Sequence, residues 1–171
     1  MAELWDVYDE NRQKTGKIVE RGKYTLQKGE YHLAIEAMLI NDEGKILISQ
    51  RAGHRKRYPL MWECNGGSAV LGETSVQAIV REMREELGIE FKEEEAVFLK
   101  EYKGDVYFKD FWVFKTNVNP EELTFPDGES IAAKWVTIDE MIEMQENGEW
   151  VGRVTKEDYE LALEKLGIKN K

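Results

Sequence analysis

Glu82, Glu85 and Glu86 stand at i, i+3 and i+4, so a helix through them carries three carboxylates on one face. The surrounding residues are spaced just as regularly. Gly67 is followed after five residues by Glu73, and after seven more by the pair Arg81-Glu82. Met83, Arg84, Glu85, Glu86, Leu87, Gly88 and Ile89 complete the run. Like charges one turn apart cost an isolated helix about a few tenths of a kcal/mol each. A helix that gathers three of them needs a counter-charge. Hard divalent cations supply one, and Mg2+ in particular takes a few carboxylates together with waters and substrate phosphates. The competing reading is a solvated acidic face, which suits the later run Glu93-Glu94-Glu95. It explains the charges of Glu82, Glu85 and Glu86, but not Gly67 and Glu73 at their offsets.

The elements that must position these carboxylates are legible nearby. Thr74 with Gln77 fits a capping box, which predicts a helix beginning near Ser75. Val76, Ile79, Val80, Met83 and Leu87 recur at the spacing of a buried helix stripe. Gly88 is placed to end the helix, with Ile89 packing back on its last turn. Gly66-Gly67 lets backbone approach a metal or substrate closely.

The segment from Gly67 to Ile89 fills every specified position of G-x5-E-x7-R-E-U-x-E-E-x-G-U, with U apolar. The chain therefore resembles the Nudix hydrolases, enzymes that cleave a diphosphate bond within nucleoside diphosphates joined to another group. The resemblance implies an α/β/α sandwich around a mixed sheet and a Mg2+-dependent pyrophosphohydrolase, with Mn2+ as the alternative ion. It implies metal ligation by Glu82, Glu85 and Glu86 and by a backbone carbonyl at Gly66. Arg81 then orients Glu73 and the other carboxylates. Glu129, in PDGESIAAKW, matches a place where many such enzymes put a further glutamate that contacts metal or activates water. Glu82 and Glu129 are both candidate general bases, and a Pro-Gly turn makes Glu129 equally readable as a solvated residue. The substrate implied is a small-molecule diphosphate, and a homodimer is compatible with the family.

Arg51 opens a basic run, RAGHRKR, within an acidic protein. Arg51, Arg55, Lys56 and Arg57 could clamp phosphate oxygens, and the family often carries a basic residue at the strand end where Arg51 falls. Gly67 and Arg51 are thus the expected substrate contacts, against the alternative of a solubilising loop. Tyr31, Tyr58, Trp62, Phe108 and Trp112 could stack on a base, but aromatics at strand spacing usually build the core.

Length and composition suit one enzyme domain over residues 1–171, with an N-terminal hairpin over 1–30, a core over 31–147 and a C-terminal helix over 155–167. No apolar run is long enough to span a bilayer, and MAELWDVYDE is acidic rather than signal-like. Cys64 is the only cysteine, so a disulfide framework is excluded and a cytoplasmic location is expected. The net charge of −10 argues against nucleic acid and membrane surfaces as partners. It does not argue against a small phosphorylated substrate, because a bound cation inverts the local charge.

The order of elements is α/β throughout. Residues 5–8 and 17–19 read as strands joined by a polar turn over 9–16, and 34–40 and 45–50 as a hairpin across Asn41-Asp42-Glu43-Gly44. Strands are expected over 97–102, 106–115 and 132–136. Capping boxes at Thr137/Glu140 and Thr155/Asp158 open two later helices, ended near Gly148 and by Gly167. Helices on both faces of a mixed sheet follow from this order.

One further likeness sets the runner-up. YHLAIEAMLIN followed by GKILISQR resembles the isopentenyl-diphosphate isomerases, which share the fold and use a histidine at the place of His32 as a metal ligand. Those enzymes need a cysteine immediately before the first box glycine, where this chain has Gly66. Cys64 lies two residues earlier, on the same strand face but a full pleat away. Ser68 replaces the histidine that follows the box glycine, and the box here is whole where the isomerases degrade it. His32 therefore reads as structural or substrate-side. A nucleotide sensor without turnover is the non-enzymatic alternative, and the intact carboxylate set argues against it. Cys64→Ala should leave pyrophosphatase activity within several-fold of the parent. Interconversion of isopentenyl and dimethylallyl diphosphates by the parent, abolished in Cys64→Ala, would establish the isomerase instead.

Overall fold

The alternation of side chains along β3 (His32–Ile40) organises the molecule. Leu33, Ile35, Ala37 and Leu39 enter one buried cluster and Met38 and Ile40 the other, so this strand is covered on both faces. The computed structural model describes residues 2–169; Met1, Asn170 and Lys171, the outermost residues of the expected 1–171 unit, lie outside it.

After the N-terminal hairpin of β1 (Leu4–Tyr8) and β2 (Lys14–Glu20), the chain runs through β3, β4 (Ile46–Arg51), β5 (Trp62–Glu63) and β6 (Asn65–Ser68) into α1 (Ser75–Leu87). β7 (Val97–Lys103), β8 (Tyr107–Lys115) and β9 (Ser130–Val136) follow, then α2 (Ile138–Glu146) and α3 (Lys156–Leu166). The main sheet is ordered β5-β4-β3-β8-β7, with β9 beside β4 and β6 beside β3. β3 and β8 run parallel from His32↔Tyr107 to Ile40↔Lys115, while the other pairings are antiparallel. The hairpin strands β3 and β4 pair only at Leu39↔Leu47 and Ile40↔Ile46. Beyond that they part, and β6 fills the place beside β3 at Ala34 to Ala37.

α1 covers one face with Ala78, Ile79, Met83 and Leu87, each fully buried. Burying a large aliphatic side chain stabilises by about 1.5–3 kcal/mol. α2 and α3 cover the other face through Met141, Met144, Tyr159, Ala162 and Leu163. The fold is thus an α/β/α sandwich with a mixed sheet. All three capping boxes form as their sequence spacing predicts.

Two local readings are corrected. β2 starts at Lys14 rather than at residue 17, because the Asp9 carboxylate accepts the N–H groups of Asn11 and Gln13 and closes a shorter turn. The first residues of β2 are exposed, so no apolar alternation marked them. β6 was not anticipated, since Asn-Gly-Gly-Ser has low strand propensity and becomes a strand only by pairing with β3.

The hairpin is tied to the core. Arg12, at φ 59° in the β1–β2 turn, donates to both carboxylate oxygens of the buried Asp110 at 2.7 and 2.6 Å. Tyr8 and Tyr31 exchange backbone hydrogen bonds at 2.8 and 2.9 Å, and Leu71 donates to the Leu4 carbonyl at 2.7 Å.

Gly66 shows how tightly β6 is pressed on the sheet. A Cβ there would lie 2.2 Å from the Ile35 carbonyl oxygen and 2.8 Å from Glu36 Cα, both backbone of β3. Gly66→Ala should therefore cost about 3 kcal/mol, which lowers the melting temperature by roughly 6–12 °C in a domain of this size. Gly53→Ala, whose Cβ would meet only Leu60 at 3.5 Å, should stay within about 0.5 kcal/mol. Thermal melting of both variants checks this, and parental stability of Gly66→Ala would refute the close packing.

Candidate functional site

The carboxylates are carried into the seam between α1 and β6 by local signals at each end of the helix. The Thr74 hydroxyl accepts the Gln77 N–H at 3.3 Å and the Gln77 side chain accepts the Thr74 N–H at 3.1 Å. At the other end Gly88, at φ 72°, and Ile89 donate to the carbonyls of Arg84 and Met83 at 3.0 and 3.2 Å. Packing of Ile79, Met83 and Leu87 then turns Glu82 and Glu86 toward the sheet. Glu82 Oε1 lies 2.4 Å from where a Gly67 Cβ would sit, so the missing side chain at Gly67 makes room for that carboxylate.

Arg81 is the hub of one half of the site. Its guanidinium donates to both oxygens of Glu73 at 2.7 and 3.0 Å, to Glu82 at 2.8 Å, to Glu85 at 2.9 Å and to the Ser68 carbonyl at 3.0 Å. Burial opposes the Arg81 charge, but the Glu73 hydrogen bonds and the Glu82 and Glu85 carboxylates outweigh it and hold the group protonated above its usual range. Burial likewise opposes the Glu73 charge, yet Arg81 and the Val70 N–H keep its carboxyl below the usual range. Burial dominates at Glu82, which is pushed up to about 7 against the attraction of Arg81.

Glu86 forms the other half. It is 6% exposed, and its Oε2 accepts from Asn65 Nδ2 at 2.8 Å and from the Gly66 N–H at 3.2 Å. Burial, reinforced by the Glu82 charge, pushes its carboxyl well above the usual range. Facing it is a turn around Pro126-Asp127-Gly128. The Asp127 N–H donates to the Glu85 carbonyl near the end of α1 at 3.1 Å, and Asp127 Oδ1 accepts the Glu129 N–H at 2.9 Å. Oxygens of Glu86, Asp127 and Glu129 thereby come within 4.8 Å of one another.

The grouping differs from the expected helix trio. Glu82 and Glu85 are drawn to Arg81, and Glu86 is joined instead by Asp127 and Glu129. Asp127 escaped sequence reasoning because a Pro-Asp-Gly turn normally presents a solvated carboxylate. Its distance of two residues from Glu129 was the available signal.

A cleft of about 700 Å3 opens beside Glu129, between the N-terminal hairpin and the loop after β4. Trp5, Arg21, Arg51, Arg55, Lys56 and Arg57 line it. Arg55 pairs with Glu129, and the Glu129 carbonyl accepts the Ala52 N–H at 2.8 Å. Arg51 reaches the cleft wall with its guanidinium engaged. It donates to both oxygens of Glu63 at 2.7 Å and to the carbonyls of Arg57 and Tyr58 at 3.0–3.2 Å. Tyr58, at φ 51°, and Leu60, at φ 62°, show that this brace holds a strained loop.

His32 is not brought to the carboxylates of Glu86, Asp127 and Glu129. Its ring stacks on Trp5 at 4.1 Å and 6°, and burial, helped by the Arg21 charge, lowers its pKa to about 4. Cys64 is buried, and burial pushes its thiol well up. Of the aromatic candidates, Tyr31 and Phe108 pack together, Trp112 donates to Ser75 Oγ at 2.9 Å, and Trp62 lies under Lys134.

The NUDIX domain family model matches residues 30–158. An uncharacterised Nudix hydrolase of Listeria monocytogenes is 36% identical over 150 residues, covering 87% of this chain and 88% of that protein. The isopentenyl-diphosphate isomerase of Salmonella heidelberg is 34% identical over 83 residues, 48% of this chain and 45% of that one. The solved structure of DR0079 from Deinococcus radiodurans superposes with a TM-score of 0.76 at 20% identity, covering 94% of this chain and 99% of that one, a likeness of fold. A family match over most of the chain, a hydrolase relative over nearly its whole length and the carboxylate-lined helix agree: this chain belongs to the NUDIX domain family, among the Nudix hydrolases.

Proposed function

We infer that the protein hydrolyses a diphosphate bond in a nucleotide or nucleoside-diphosphate derivative with the help of Mg2+ or Mn2+. The observation that carries this reading is the convergence of Glu86, Asp127 and Glu129 at the edge of a cationic cleft. The donor set suits a hard cation, because it consists of carboxylate oxygens. Glu86 supports the same fit, since a buried carboxylate that meets only two neutral N–H donors among the described residues is short of positive charge. Glu86, Asp127 and Glu129, with Glu82, Glu85 and the Gly66 carbonyl, would hold the ion. When bound, such an ion neutralises charge developing on phosphate oxygens and makes a water easier to deprotonate.

The chain's own residues supply the rest. Arg81 keeps Glu73, Glu82 and Glu85 in a fixed array, so no carboxylate must be reoriented during the reaction. Glu82 or Glu129 takes the proton from the attacking water. The cations of the cleft hold the phosphate chain, with Arg51 bracing the loop that presents them. The Gly67 backbone, bare of a side chain, leaves the approach to Glu82 open. The isomerase alternative has less support, because Gly66 and Ser68 stand where those enzymes need a cysteine and a histidine, and Cys64 is buried.

Glu86→Gln keeps the shape and the hydrogen bonds but removes the charge. It should lower kcat/KM for a cleaved nucleotide at least 100-fold, about 3 kcal/mol. Melting in EDTA should be undiminished, since a buried anion is lost, while the stabilisation of the parent by added Mg2+ should disappear. Phosphate release over a nucleotide panel together with melting curves reads both, and undiminished turnover would refute the metal reading.

Arg81→Lys retains one positive charge but cannot hold three carboxylates at once. We expect kcat to fall on the order of 10- to 100-fold with KM nearly constant. A variant in which KM rises and kcat holds would instead make Arg81 a substrate contact.

A further inference from the structure

We propose that the cleft between the N-terminal hairpin and the Arg51–Arg57 loop is a subsite for a terminal phosphate group, so that the enzyme prefers substrates ending in a phosphomonoester. The proposal rests on the hydrolase reading above and narrows its substrate class.

In a chain of net −10, five basic residues line one cleft of about 700 Å3, a volume typical of small-molecule sites. Three of them are already compensated: Arg21 by Glu3, Arg51 by Glu63 and Arg55 by Glu129. Lys56 and Arg57 are exposed, and no carboxylate of the described residues pairs with either. About two positive charges are therefore left over in the cleft. A phosphate esterified on both sides carries one negative charge, whereas a terminal phosphomonoester carries about 1.5 to 2 near neutral pH. The surplus matches the second kind of group.

Position makes the same point. Glu129 belongs both to the carboxylate group with Glu86 and Asp127 and to the cleft lining. A phosphate chain whose cleaved bond sits at the carboxylates thus has its next phosphate in the cleft. The far wall is built to stay in place. Trp5 is stacked on His32, and its strand is tied to the core through Leu4 and through the Asp6 carboxylate, which accepts the Gly72 N–H at 2.9 Å. The opposite wall is the loop pinned by Arg51, whose strained residues Tyr58 and Leu60 follow directly on Lys56 and Arg57.

The test compares ADP, which ends in a monoester, with ADP-ribose, which does not, in the parent and in a Lys56→Ala/Arg57→Ala double variant. Both residues are exposed, and melting curves verify that the variant folds. The parent should favour ADP in kcat/KM by at least tenfold, and the variant should lose that preference through a higher KM for ADP. Calorimetric titration of inorganic diphosphate in EDTA should show binding to the parent, at least tenfold weaker in the variant and weakened further by salt. A parent that cleaves ADP-ribose as well as ADP, or a variant that affects both alike, overturns the proposal. If neither these two nor any nucleotide of the wider panel is cleaved, the hydrolase reading fails and the titration alone decides. Diphosphate binding that the double substitution weakens then supports the subsite, and absent or unaltered binding overturns it.

Discussion

The structure turns on how negative charge is compensated where α1 meets β6. Glu82 and Glu86 are set into that seam by the same helix face that buries Ile79, Met83 and Leu87. Desolvating a carboxylate costs several kcal/mol unless hydrogen bonds and opposite charge offset it. On one side Arg81 does so for Glu73, Glu82 and Glu85 together, with its fifth contact on the Ser68 carbonyl. On the other side Glu86 has, among the described residues, only Asn65 and the Gly66 N–H as donors. The chain thus supplies its own counter-charge to one half of the cluster and, at Glu86, only neutral donors among the described residues to the other. A neutral seam would pack more easily but would have nothing with which to hold an ion.

That asymmetry shapes the neighbouring elements. β6 must lie flat against β3 to bring Asn65 and Gly66 beneath the helix, which is why a side chain at 66 would strike the Ile35 carbonyl. The turn at Pro126-Asp127-Gly128 must dock on the last turn of α1, and the Asp127–Glu85 backbone hydrogen bond holds it there. Beyond Glu129 the sign of the field reverses, and Arg55, Lys56 and Arg57 stand within reach of the acidic seam. Net charge is therefore a poor guide to this site. The whole chain carries an excess of negative charge, while five basic residues line one cleft.

The likeness to the isopentenyl-diphosphate isomerases shows how one scaffold separates from its chemistry. β3 with His32 and the β3–β4 hairpin are shared in pattern. Yet His32 here spends its ring face on Trp5 and is held neutral by burial and by the Arg21 charge. Cys64 packs into the α2–α3 side of the sheet, among residues such as Met38 and Trp150. Shared strands carry the fold, while the side chains at the seam differ.

What was legible in the sequence was local. Thr74 with Gln77, the stripe through Met83, and Gly88 set the limits of α1 through interactions reaching three or four residues, so they survive reading without coordinates. The same range explains why α2 and α3 were bounded by their capping boxes, whereas the pairing of Arg81 with Glu73, eight residues apart, was implied by the family resemblance rather than by local spacing. The remaining features were decided by contacts between distant segments. Asn65–Ser68 has no strand pattern of its own and is extended because β3 offers it hydrogen bonds. Asp127 joins Glu86 only because a backbone bond brings its turn to α1, and Glu85 is drawn aside by Arg81 rather than toward that group. Arg51 read as a free cation, yet its charge is taken up by Glu63, twelve residues along the chain, once β4 and β5 pair. Spacing within a helix encodes which side chains share a face, whereas which faces meet is settled only by the free energy of the assembled core.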